Sequence, residues 1–117
     1  MPLLTDLRGS ALGRGDVLRL SENYDLEPGS GSVDLLVYDP RDEAVGLGVI
    51  VASGYKAGLI LSNFPTASRH PEGGLSVDWL IANWDAWFVF TYHKDHRIPY
   101  EDAVVLHWDR RTLPQET

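Results

Sequence analysis

The sequence has 117 residues, which is the length of one domain rather than two. Lys and Arg number 10 against 17 Asp and Glu, so the formal net charge is −7. The absence of cysteine excludes disulfides, thiolate metal sites and cysteine nucleophiles. The acidity argues against binding to nucleic acid or to an anionic membrane, because both require a basic face. We expect a single domain over residues 1–117, with a frayed polar tail at residues 109–117.

The beginning of the chain shows neither the basic region nor the long apolar run of a secretion signal. The longest nearly uncharged stretch, residues 44–55, is too short to span a bilayer. We therefore expect a cytoplasmic protein that makes no membrane contact.

The first half of the chain predicts strands. Residues 16–20 form a short strand candidate, and a polar loop over residues 21–32 follows it. Residues 33–38 and 44–53 predict two paired strands, because the turn-forming string Asp39-Pro40-Arg41-Asp42 separates two apolar runs. Two interior glycines in the second run indicate a bulge or a close backbone approach. A further strand at residues 59–61 completes a three-stranded antiparallel meander.

The clearest helix covers residues 76–88. Ser76 is a good N-cap, and Asp78 places a negative charge in the first turn. The apolar residues recur at helical spacing and cover an arc of about 120°. They are Val77, Leu80, Ile81, Trp84, Trp87 and Phe88. The arc predicts that Trp84 and Trp87 anchor the helix on a sheet, and that Trp79 points to the opposite side.

The order of the predicted elements gives the fold class. A last strand is predicted at residues 103–108, so the chain runs through strands, one helix and a strand. This order favours an α+β fold, with an antiparallel β-sheet of about 4–6 strands and one main amphipathic helix, about residues 76–88, packed on one face.

No combination of residues indicates catalysis or a cofactor. There is no G-x-S-x-G string, and the glycine-bounded lysine turn at residues 54–58 lacks the spacing of a phosphate-binding loop. His93 and His96 have an H-x-x-H spacing, but no third ligand follows at a characteristic distance. We therefore assign no catalytic, cofactor-binding or metal-binding residue and expect a protein that is not an enzyme.

Eight residues are candidates for contact with a protein partner. Three carboxylates cluster at the predicted hairpin tip, two residues lie in the glycine-bounded turn, and two aspartates flank a tryptophan on the predicted helix. They are Asp39, Asp42, Glu43, Tyr55, Lys56, Asp78, Trp79 and Asp85. A purely structural interpretation stays open, in which the charges are solvated and residues 66–74 cover Trp79.

Two segments resemble a known protein family. Residues 53–61 read Ser-Gly-Tyr-Lys-Ala-Gly-Leu-Ile-Leu, and residues 75–87 read Leu-Ser-x-x-Trp-Leu-Ile-x-Asn-Trp-x-x-Trp. Together with Arg14-Gly15-Asp16-Val17, they resemble the forty-fifth family of immunity proteins, and the resemblance covers residues 14–90. Such proteins accompany polymorphic toxins, including those of contact-dependent growth-inhibition systems. The resemblance implies a partner that neutralises a cognate toxin in the cytoplasm of the producing cell, and it implies no enzymatic residue.

Three hypotheses for function follow. An inhibitor that binds the C-terminal domain of a cognate toxin, for example a basic nuclease, fits the acidic charge. A small ligand-binding domain or enzyme would use the loops at residues 21–32 and 66–74. A structural module would self-associate through a sheet edge or through Trp79. We expect a monomer or a weak dimer, with no cofactor.

Overall fold

The computed structural model describes residues 2–21, 32–53, 56–88 and 99–106. In chain order the strands and helices are β1 (Ala11–Leu12), β2 (Val17–Leu20), β3 (Val33–Tyr38), β4 (Val45–Val51), β5 (Ile60–Pro65), β6 (Leu75–Ser76), α1 (Val77–Ala82), α2 (Trp84–Trp87) and β7 (Val104–Leu106). Short 3₁₀ helices cover Leu4–Leu7, Thr66–Ser68 and Tyr100–Asp102. Most of the predicted loop at 21–32, the segment with His93 and His96 and the tail at 109–117 lie outside the described residues.

Five strands form the main sheet in the order β5-β4-β3-β2-β7, and every neighbouring pair is antiparallel. The predicted meander is confirmed, because β3, β4 and β5 are consecutive in the chain and adjacent in the sheet. The short strands β1 and β6 pair with each other in a separate two-stranded sheet. The α+β fold class expected from the sequence is confirmed.

One face of the main sheet is buried. Along β3, buried and partly buried residues alternate, which is the period of two expected for a strand with one face in the core. The sheet contributes Leu18, Leu20, Val33, Leu35, Val37, Val49, Val51, Phe64 and Val105 to that core. The layer that covers it contributes Leu4, Leu12, Leu75, Val77, Leu80 and Trp84. The core therefore lies between the sheet and a layer of short helices and the β1–β6 pair.

The opposite face of the sheet carries an ion pair between directly opposed residues of β2 and β3. Arg19 Nε donates to Asp34 Oδ1 at 2.7 Å, and Arg19 Nη2 donates to Asp34 Oδ2 at 3.0 Å. The hydrogen bonds and the charge of Asp34 raise the pKa of Arg19 above its ordinary value. Because the pair is partly exposed to water, we expect it to contribute no more than about 1 kcal/mol to stability.

The two edges of the main sheet differ. The N-terminal segment runs beside β7, where Leu4 N donates to Ala103 O at 2.8 Å and Val105 N donates to Pro2 O at 2.9 Å. At the other edge, no strand among the described residues pairs with the outer side of β5.

Among the residues that the structure describes, no helix is long and apolar enough to cross a membrane.

The predicted helix is present as two short helices, α1 and α2, with Asn83 between them. It begins as expected, since Ser76 Oγ accepts a hydrogen bond from Trp79 N at 3.2 Å. Asn83 leaves helical geometry at φ −111°, and its side-chain Nδ2 donates to Trp79 O at 2.9 Å. Trp84 packs in the core as predicted, whereas Trp87 meets the sheet only in part, with its ring centroid 5.5 Å from that of Phe64 in β5. Trp84 is 1% exposed and Trp87 is 36% exposed.

The two interior glycines of β4 allow close approaches by neighbouring backbone and side chains. The register between β4 and β5 shifts between Val45 and Gly48, as the bulge prediction required. A Cβ atom on Gly48 would lie 2.4 Å from Ser62 O in β5. A Cβ atom on Gly46 would lie 2.7 Å from Ser68 Oγ. Both positions therefore exclude any larger residue without movement of the chain beside them.

We expect Gly48→Ala to lower the free energy of unfolding by about 2 kcal/mol or more, because the clashing atom belongs to the backbone of β5. Urea denaturation monitored by tryptophan fluorescence measures the change. Gly13→Ala is the matched control: its Cβ would meet only Asp16 Oδ2, at 3.9 Å. The control should shift stability by less than about 0.5 kcal/mol. Equal stability of both variants would contradict the close packing of β4 on β5.

Candidate partner-binding site

The connection between β3 and β4 holds three of the predicted contact residues, all exposed. Asp39 Oδ1 accepts a hydrogen bond from Arg41 N at 2.7 Å, and Asp42 Oδ1 accepts one from Ala44 N at 2.9 Å. Arg41 adopts a positive φ of 57°, a conformation that non-glycine residues rarely take. Glu43 follows in the same turn. The two aspartates thus shape the turn, as the Asp39-Pro40 string predicts.

A loop from another part of the chain anchors this turn. Arg69 Nη2 donates to Glu43 O at 3.3 Å and also donates to Val45 O. The residue before it, Ser68, is fully buried and donates from Oγ to Pro65 O at 2.6 Å. The guanidinium of Arg69 therefore joins the end of β5 to the turn that precedes β4.

A cleft of about 300 Å³ lies between the turn and Arg69, and we call it the turn groove. Its lining consists of Asp39, Arg41, Asp42, Glu43 and Arg69. A second cleft of about 300 Å³ shares Asp39 and Arg69 with it and continues toward residues 70–74. Three carboxylates and two guanidinium groups give the turn groove alternating charge rather than one uniform sign. Such a surface suits charged and polar side chains of a protein partner.

The tryptophan among the candidates, Trp79, belongs to an aromatic cluster around Phe64. The ring centroid of Phe64 lies 5.7 Å from that of Trp79 and 5.5 Å from that of Trp87, in edge-to-face arrangements. Trp84 stacks on Phe88 with a centroid separation of 3.9 Å. Trp79 is partly buried against the core, so it does not point freely into solvent as the helical arc alone would place it. The exposed indole of the cluster is Trp87, which was not among the candidates.

The remaining candidates are spread over the molecule. Asp78 is exposed on α1, and its Oδ1 accepts a hydrogen bond from Gly9 N at 3.1 Å, so this carboxylate holds the N-terminal segment. Asp85 is exposed on α2. Lys56 is partly buried at the start of the turn that leads to β5. Tyr55 lies outside the described residues.

The eight candidates do not form one surface. The turn groove lies before the first residue of β4, Val45, whereas Lys56 follows its last residue, Val51. A strand of this length separates its two ends by about 20 Å. The structure brings Asp39, Asp42 and Glu43 together and separates Lys56 from them. Among the described residues, no group of three or more His, Asp or Glu is placed to hold a metal ion.

Sequence reasoning did not find Arg69. It lies in the polar stretch at residues 66–74, which composition marks only as a loop. Its hydrogen bonds reach residues 24 and 26 positions earlier in the chain, and no local pattern signals contacts at that separation. Arg41 belongs to the predicted turn-forming string, but its place in the lining of the turn groove depends on the same long-range contact.

The family model described as immunity protein 45 matches residues 4–96 of the chain. The chain belongs to the immunity protein 45 family. This match confirms the resemblance and covers more of the sequence than the motifs that suggested it. No curated protein and no solved structure matches this immunity protein.

Most residues of the tryptophan motif support the fold of this immunity protein. The string from Leu75 to Trp87 forms β6, α1 and α2, and Leu75, Leu80 and Trp84 are 1% exposed. In the glycine-bounded turn, Gly58 has a φ of 97°, which side chains rarely adopt. These motif residues therefore have structural roles, and none of them lines the turn groove.

We expect Trp84→Ala to lower the free energy of unfolding by about 3–5 kcal/mol, because it removes a fully buried indole. Trp87→Ala should cost about 1 kcal/mol, since that indole is partly exposed and loses only ring contacts at the surface. Chemical denaturation monitored by far-UV circular dichroism measures both. Equal losses for the two variants would show that Trp87 is packed as fully as Trp84.

Proposed function

We propose that this immunity protein binds a cognate toxin domain in the cytoplasm of the producing cell. It neutralises the toxin by covering the active site or an adjacent surface. The observation that carries the proposal is the family match over residues 4–96. The protein works by binding alone, so it needs neither a catalytic residue nor a cofactor.

The turn groove is the surface that we assign to the toxin. Its carboxylates Asp39 and Asp42 are bonded to the turn backbone, and Arg69 anchors the turn from the other side. A turn held in this way loses little conformational freedom on binding, which favours affinity. Glu43 adds an exposed carboxylate to the same lining.

Electrostatics supports a basic partner. The net charge of −7 attracts a basic domain over distances of about one Debye length, and this attraction accelerates association. A nuclease domain at the C-terminus of a secreted toxin has such a basic cleft, because it must bind phosphate groups. The alternating charges of the turn groove then pair with opposite charges on the cognate toxin and repel other toxins that place like charges against them.

The ligand-binding or enzymatic alternative has less support. The 66–74 loop borders a cleft, but Arg69 in that cleft donates from Nη2 to the backbone carbonyl groups of Glu43 and Val45. Arg19, whose bonds to Asp34 raise its pKa, lies on the exposed sheet face and lines neither cleft. A catalytic pocket would place displaced titratable groups together in a cleft.

The direct test is co-expression with the toxin domain encoded by the neighbouring upstream gene. We expect the immunity protein to restore growth and to copurify with that domain. A toxin domain of the same class from an unrelated locus is the control, and it should kill the cells despite the immunity protein. Failure of the cognate pair to bind or to rescue growth would overturn the assignment to that toxin.

The turn groove is tested by charge reversal. We expect Glu43→Lys, which keeps both aspartate side chains that shape the turn, to slow association with the toxin domain by about fivefold or more, because an attractive charge becomes repulsive. Stopped-flow or surface plasmon resonance at low and high salt measures the rate.

The matched control for this test is Asp102→Lys, an exposed carboxylate on the 3₁₀ helix Tyr100–Asp102. One reversed charge outside the turn groove should change the rate by less than about threefold. If Glu43→Lys and wild type associate equally fast, the toxin does not contact the turn groove. If the wild-type rate is the same at low and high salt, the electrostatic attraction is absent.

A further inference from the structure

Arg41 holds a backbone conformation that its side chain disfavours. Its φ is 57°, and among the described residues every other positive φ belongs to a glycine. The Cβ atom of an L residue crowds the backbone in this region, so glycine or asparagine would hold the same turn with less strain. The hydrogen bonds from Arg41 N to Asp39 Oδ1 and from Ala44 N to Asp42 Oδ1 enforce the conformation. The arginine is therefore not the residue that the turn itself favours.

The Arg41 side chain is exposed and lines the turn groove beside three carboxylates, those of Asp39, Asp42 and Glu43. In the part of the chain that the structure describes, none of these carboxylates forms an ion pair with the guanidinium. The second guanidinium of the groove, that of Arg69, is bonded to backbone carbonyl groups and anchors the turn. Arg41 thus supplies the groove with a positive group that the fold does not use.

The chemistry of the guanidinium defines the group that it can bind. Its planar fork of N–H donors matches the two oxygens of a carboxylate, and such charged pairs are stronger than neutral hydrogen bonds. The proposed partner is a protein, so the matching group is the side chain of an aspartate or a glutamate. A lysine or an arginine at the same place on the partner would meet a like charge.

We propose that Arg41 determines the specificity of the turn groove, and that its guanidinium binds a carboxylate of the cognate toxin. This inference rests on the proposed contact between the toxin and the turn groove. The surrounding carboxylates attract a basic toxin surface, and Arg41 accepts a toxin that places an acidic side chain against it and repels one that places a basic side chain there. The strain at Arg41 is then a loss of stability that recognition offsets.

Two variants, Arg41→Gly and Arg41→Asn, remove the guanidinium and suit the positive φ. Urea denaturation of the free protein should place their unfolding midpoints at or above the midpoint of wild type. Surface plasmon resonance should show that the toxin domain encoded by the upstream gene dissociates from them about tenfold faster or more, because a charged contact is lost. Their preference for this domain over one of the same class from an unrelated locus should also decrease.

Arg8→Ala is the matched control, because it removes the same charge from an exposed position that does not line the turn groove. It should dissociate from the toxin domain within about twofold of the wild-type rate. If Arg8→Ala accelerates dissociation as much as Arg41→Gly does, the effect comes from net charge, and the specific role of Arg41 is wrong.

Capture of the toxin domain by wild type separates this inference from the proposed function. If wild type captures the domain and both Arg41 variants dissociate as slowly as wild type, the role of Arg41 is overturned and the proposed function stands. If wild type does not capture the domain, both are overturned. Unfolding midpoints of both Arg41 variants clearly below that of wild type would also contradict the inference, because the arginine would then serve the fold.

Discussion

The packing of one ring, Phe64, determines how the helices of this protein meet its sheet. Phe64 is fully buried although it comes from an edge strand, and the rings of Trp79, Trp87 and Phe88 surround it. Truncation of such a buried ring typically costs about 3–5 kcal/mol, which is a large share of the stability of a small domain. Because α1 and α2 both contact β5 through this ring, the direction of α2 and the exposure of Trp87 depend on it.

The same strand also positions the turn groove. The chain continues from Phe64 into the 3₁₀ helix Thr66–Ser68, which approaches β4 closely only because Gly46 has no side chain. That approach brings Arg69 within reach of the carbonyl groups of Glu43 and Val45. A change that moves Phe64 is therefore expected to disturb the turn groove, even though the two do not touch. The stability of the fold and the shape of the turn groove are therefore coupled through a few consecutive residues.

Local patterns predicted the parts of the fold that local interactions determine. The alternation in residues 33–38 and the Asp39-Pro40 turn specify a hairpin by themselves. The predicted strand at residues 59–61 extends this hairpin to the three-stranded meander. The strands β1 and β6 were missed because each has two residues, and their pairing depends on tertiary contacts such as Val77 N to Ser10 O at 3.0 Å. The helix was predicted as one element because asparagine inside a helical pattern is common, and nothing local shows that the side chain of Asn83 bonds the backbone at the end of α1. The carboxylates of the turn groove could be predicted from the sequence, whereas the position of Arg69 depends on contacts that form only in the folded chain.

The way in which the turn is held allows recognition to change while the fold stays the same. Arg69 bonds the carbonyl group of Glu43 and not its carboxylate, so the anchor does not depend on the side chain at that position. Asp39 and Asp42, in contrast, use their side chains to shape the turn, and replacing them alters its geometry as well as its charge. The charge at position 43 can therefore vary at little cost to stability, whereas Asp39 and Asp42 are constrained both by the shape of the turn and by its charge. With the turn groove as the proposed toxin contact, such a protein can follow changes in a toxin surface through position 43 and keep the turn groove in its present shape.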